Sequence, residues 1–69
     1  MTLVEAAEML KLLLPGQDVY VVYMHDAPEK RCRVVRRTGA HHGSSTVAVL
    51  GRGDTYEEAL EEARDRENH

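Results

Sequence analysis

The sequence predicts an α+β domain in which a helix, a three-stranded antiparallel sheet and a second helix follow in order, with both helices on one sheet face. Three observations predict it. A segment at each end places apolar residues at helical spacing. Between them lie three runs of β-forming residues with period two. The connections between those runs are short, which favours antiparallel neighbours. Two helices with one apolar stripe each then cover one sheet face and leave the other open.

Residues 2–14 read as the first helix. Thr2 and Glu5 have capping-box spacing, and Leu3, Ala6, Ala7, Leu10, Leu13 and Leu14 form a broad apolar face. Val4, Met9 and Leu12 widen that stripe beyond what one buried face needs, and Pro15-Gly16 ends the helix. The first strand is expected over 18–25. Val19, Val21 and Tyr23 point one way and Tyr20, Val22 and Met24 the other, and both sets are apolar. Such a strand is covered twice, once by the helices and once by something else.

Asp26-Ala27-Pro28 carries turn chemistry before a second strand over 31–37. There Cys32 and Val34 share one face, and Arg31, Arg33, Val35 and Arg37 share the other. A flexible loop is expected over 38–44, then a third strand over 45–50 closed by Gly51-Arg52-Gly53. The last helix starts at Asp54 or Thr55 and buries Tyr56, Ala59, Leu60 and Ala63, with fraying over 67–69.

Sixty-nine residues allow one domain, 1–69, without internal repeat or linker. A chain this short buries only about 60% of its unfolded surface. The core has no Phe or Trp to use, and a lone cysteine permits no internal disulfide. That pattern suits a reducing, cytoplasmic setting and directs attention to self-association or partner binding as a source of further burial. The amino terminus does not read as a signal peptide, and no run is long enough to span a membrane.

The net charge of −3 is mild, but its distribution is not: seven of twelve acids lie between Asp54 and Glu67, and five of nine basic residues between Lys30 and Arg37. The middle of the chain is therefore basic and its end acidic.

The order of elements, and the segment from Gly51-Arg52-Gly53-Asp54-Thr55-Tyr56 to Ala63, resemble the double-stranded-RNA-binding domain. That resemblance implies an αβββα fold. It does not carry the family's activity. The family places lysines at the start of the last helix, where this chain has Tyr56, Glu57 and Glu58, and carboxylates there repel phosphate. The family's Gly-Pro-x-His loop is replaced by Ala27-Pro28-Glu29-Lys30.

Motifs for chemistry are weak. His41-His42 lacks the partners of a metal site. Cys32 reads as a small buried apolar residue, because alternation puts Arg31 and Arg33 across the sheet. His25-Asp26 has no third group for acid–base work. Gly51-x-Gly53 is crowded by acids and reads as a tight strand-to-helix turn rather than a phosphate cradle. The sequence thus predicts no enzyme, cofactor or metal.

Two charged surfaces remain. Glu57, Glu58, Glu61, Glu62 and Asp65 form an acidic helix face, expected to dock on a basic, nucleic-acid-binding protein. Arg31, Arg33, Arg36 and Arg37, with a ring from Tyr20 or Tyr23, form the alternative, a nucleic-acid-binding face. Size, acidity and the lack of a reaction centre resemble the small inhibitors of phages and mobile elements, anti-CRISPR proteins among them. A homodimer that covers the second face of the first strand is a third expectation.

Overall fold

In the computed structural model the chain forms α1 (Leu3–Leu13), β1 (Val19–Tyr23), β2 (Cys32–His41), β3 (Ser44–Gly53) and α2 (Tyr56–Glu67). The structure describes residues 1–41 and 44–68, and for 38–41 and 44–46 the backbone alone. The three strands make one antiparallel sheet in the order β1-β2-β3. This is the predicted αβββα order.

Both helices start at the caps the sequence offers. Thr2 Oγ1 accepts from the Glu5 N–H and the Glu5 carboxylate accepts from the Thr2 N–H, each at 3.2 Å, which completes a capping box. Gly16, with φ +75°, turns the chain out of α1. At α2, Thr55 Oγ1 accepts from the Glu58 N–H at 3.2 Å. The Glu58 carboxylate reaches back one residue further than a capping box requires, to the Asp54 N–H at 3.1 Å. Lys30, at φ 51°, donates its N–H to Asp54 Oδ1 at 3.0 Å and ties the β1–β2 connection to the start of α2.

One side of the sheet carries the core. Ala6, Leu10 and Leu14 from the α1 side meet Cys32, Val34 and Leu50 from the sheet and Ala59, Leu60 and Ala63 from α2. Leu13, Val19, Val21 and Tyr56 pack around them. Every element thus contributes to one cluster, and both helices lie on one face.

The segment 38–44 departs from expectation. The stretch read as a flexible loop extends both strands: Arg37 pairs with Val47, Thr38 with Thr46, Ala40 with Ser45 and His41 with Ser44. Gly39 is an extra residue in that ladder, a bulge that breaks the period-two pattern. With no apolar alternation to reveal it, this part of the hairpin rests on backbone pairing. His42 and Gly43 lie outside the described residues, as does His69 from the stretch expected to fray. Of that stretch, Glu67 is the last residue of α2 and Asn68 its cap, donating its N–H to the Arg64 carbonyl at 3.1 Å.

A second bulge sits under α2. Val34 pairs with Gly51 and Val35 with Val49, so Leu50 is an extra residue on β3. Leu50 and Gly51 are both buried. A Cβ on Gly51 would lie 2.3 Å from the Ala59 carbonyl oxygen and 2.6 Å from the Ala63 nitrogen. Gly51 is therefore glycine because the α2 backbone rests directly on it, not because the strand-to-helix turn needs a left-handed residue. The expected tight-turn role is corrected accordingly.

Candidate interaction surfaces

The sheet register decides which charged residues share a face. Tyr20 pairs with Val35 and Val22 with Arg33, while Val35 in turn pairs with Val49, Arg37 with Val47 and Arg33 with Arg52. These residues, with Met24, form the open face. Its centre is a shallow apolar hollow lined by Val22, Met24, Val35, Val47 and Val49, with Arg33 at its rim. Tyr20 is 45% exposed, Met24 41%, Val47 55% and Val49 38%, so the second apolar set of β1 is uncovered in the single chain.

The arginines do not form one patch. Arg33 and Arg37 lie on the open face, as their alternation predicts. Arg37 Nε donates to Asp18 Oδ2 at 3.1 Å, and its guanidinium lies 5.8 Å from the Tyr20 ring centre. Tyr20 donates its hydroxyl to the other oxygen of Asp18. The Tyr20 hydroxyl, followed by Arg37, holds the Asp18 carboxyl below its usual range, and Asp18 in turn raises the Tyr20 phenol. Arg31 folds back over the β1–β2 connection, donating Nε to the Ala27 carbonyl at 2.9 Å.

Arg36 leaves the basic face. It pairs with Val19 on the helix side of the sheet and donates to Glu67 Oε1 of α2 at 2.7 Å and to Gln17. Tyr23 leaves it too, since it pairs with buried Cys32 and meets His25 edge to face at 4.8 Å. The missing member is Arg52, which stands directly across from Arg33. In the sequence it looked like part of a glycine turn, and only the β2–β3 register exposes it.

The acidic residues of α2 point outward. Glu57, Glu58, Glu61, Glu62 and Asp65 are all exposed. They are not equivalent. Glu58 is committed to the helix cap, Asp65 lies 3.6 Å from Arg64, and Glu57 lies 3.7 Å from the Met1 amine. Among the described residues Glu61 and Glu62 make no ion pair. Beside Glu57 and Glu61 runs a groove between the helices, lined by Met1, Met9, Leu13, Leu60 and Arg64. Among the described residues the ion pair between the arginine strand and α2 is Arg36–Glu67, which spares the five outward carboxylates.

Cys32 is buried, and its thiol is pushed up by burial, then by the carboxylates of Asp54, Glu57 and Glu58. Arg31 and Arg33 stand across the sheet from it, so nothing favours the thiolate. Among the described residues no three His, Cys, Asp or Glu side chains gather as metal ligands. No described helix is long and apolar enough to cross a membrane. Comparison with protein-family models, curated proteins and solved structures finds no match to this chain.

Proposed function

We propose that the chain is a non-catalytic protein-binding module that docks the outer face of α2 on a basic, nucleic-acid-binding surface of a partner. What supports this reading is the exposed row Glu57, Glu61, Glu62 and Asp65, presented on a capped helix, in which Glu61 and Glu62 make no ion pair among the described residues and Glu57 and Asp65 only long ones. Glu57–Glu61, Glu58–Glu62 and Glu61–Asp65 are like-charge pairs one turn apart, each costing a few tenths of a kcal/mol. A cationic partner relieves that repulsion and gains association rate from the field of the row. A small inhibitor of the phage or mobile-element kind, anti-CRISPR-like in style, is the class this reading belongs to.

The test is capture from a host lysate with the wild-type protein and with the E57Q/E61Q/E62Q variant. The expected result is a basic, nucleic-acid-binding protein held by the wild type, released by salt and displaced by added DNA or RNA. The variant holds it about tenfold less tightly, as three partly screened rim charges allow. Equal capture by both proteins overturns the reading.

One observation favours a second reading, in which the open face binds nucleic acid. Arg33 and Arg52 face each other across β2 and β3, a like-charge pair that an anion would relieve, with Tyr20 and Arg37 on the same face. Retention on heparin that falls steeply with salt distinguishes it.

A further inference from the structure

The two edges of the sheet are protected very differently. β3 is a blunted edge: it carries the Leu50 bulge, Arg52 and two glycines, and Arg66 donates a guanidinium N–H to the Val49 carbonyl at 2.8 Å. Such features discourage strand addition. β1 has none of them. Its residues are Val19-Tyr20-Val21-Val22-Tyr23, without charge, proline or glycine, and its register against β2 is unbroken.

The ladder fixes which backbone groups that edge leaves open. The Met24 N–H bonds to the Arg31 carbonyl at 2.8 Å and the Arg37 N–H to the Asp18 carbonyl at 3.1 Å. With unbroken register, Asp18, Tyr20, Val22 and Met24 therefore direct their backbone groups toward β2. Val19, Val21 and Tyr23 direct theirs away from it, beside a groove lined by Ala7, Leu10 and Lys11 of α1. Among the described residues those outward groups have no backbone partner.

We infer that β1 pairs antiparallel with β1 of a second copy, centred on Val21, to join two sheets into one of six strands. The sequence of the strand is self-complementary in that register. Tyr20 falls opposite Val22 of the second copy, and Val19 opposite Tyr23, with the reciprocal pairs following from two-fold symmetry. All four are aromatic–β-branched pairs, the kind that stabilises neighbouring strands. Residues that meet have the same parity, so open face continues open face and helix face continues helix face. No like charges are set opposite each other, since Asp18 meets Met24. Val19, Val21 and Tyr23 of each copy gain the bonds they lack. This inference does not rest on the acidic-helix reading, because α2 packs at the β2–β3 side of the sheet, away from the paired edge.

The experiment is sedimentation of the wild-type protein from about 5 to 500 μM, a range suited to a small, mass-action-driven interface, with amide exchange followed by NMR at both ends. A monomer–dimer equilibrium is expected, with the Val19, Val21 and Tyr23 amides exchanging at least several-fold more slowly in the concentrated sample. The Tyr20 and Val22 amides, already bonded to β2, change far less. Val21→Pro removes an outward N–H without touching the β1–β2 ladder, and at an edge proline is tolerated. V21P is expected to remain monomeric throughout. A wild-type monomer at the highest concentration overturns the inference, as does a V21P dimer of unchanged affinity. If circular dichroism shows V21P unfolded, the wild-type amides decide: concentration-independent exchange at Val21 overturns the pairing.

Discussion

At the scale of single residues, contact distances decide outcomes. Gly51→Ala puts a methyl group against the Ala59 and Ala63 backbone, which no rotamer change can relieve. A loss of about 3 kcal/mol is expected, the upper end for an overpacked core. In a domain of this size that removes much of the folding free energy, and urea denaturation will show it as a lowered midpoint. Asp18 gives a pH signature. Its carboxyl is held low by the Tyr20 hydroxyl first and Arg37 second, so its contribution is complete above the unfolded aspartate range near pH 4 and disappears as pH falls through the lower folded value. Asp18→Asn should lower stability slightly at neutral pH and converge with the wild type at low pH, where Asp18 is protonated anyway, so that the acid limb flattens, as thermal melts across pH will report. The aspartate is exposed, so the effect is small. Cys32 behaves oppositely: its raised thiol favours the neutral form at neutral pH, and alkylation should proceed no faster than local opening of the core.

At the scale of elements, the caps and the strands differ in how far sequence foretells them. A cap is a local device: the spacing of Thr2 and Glu5 was enough to mark the first, and of the two starts the sequence offered for α2, Asp54 or Thr55, Thr55 is the one that caps. Thr55→Ala should therefore cost about 1 kcal/mol through the lost Glu58 N–H acceptor, measured by chemical denaturation, with α2 fraying first in amide exchange. Strands are defined by partners, and there the sequence was less legible. The apolar alternation of β1 and of Cys32, Val34 and Val35 was readable. The ladder over 38–46 was not, because Gly39 shifts the period and the local residues are small or polar. The same limit hid part of the candidate site. Alternation alone separates Arg33 and Arg37 from Cys32. It also sets Arg36 and Tyr23 apart from those two arginines, yet grouping basic residues by sequence proximity placed all of them together. Arg36 is spent on Glu67, a residue thirty-one positions away, and no local pattern announces that pair.

At the scale of the whole molecule, the charge separation visible in the sequence takes a specific shape: carboxylates along the outside of α2 and arginines on the open side of the sheet, with Arg36 and Glu67 forming, among the described residues, the ion pair between β2 and α2. The Arg33–Arg52 pair is the place where this arrangement can be tested without disturbing the core. Both are surface residues of adjacent strands, and in their present form the pair is repulsive. Arg52→Glu turns it into an opposite-charge pair while leaving the Arg33 Nε bond to the Lys30 carbonyl intact. Judged on folding alone, the substitution should raise stability by about 0.5 kcal/mol, seen as a higher melting temperature that shrinks with added salt. A face selected to meet an anion should respond in the opposite sense when binding is measured, because two cationic groups are then replaced by a neutralised pair. R52E that gains stability and also loses heparin retention assigns the open face to anion binding. A gain in stability with no heparin retention in either protein overturns the anion-binding reading of the open face.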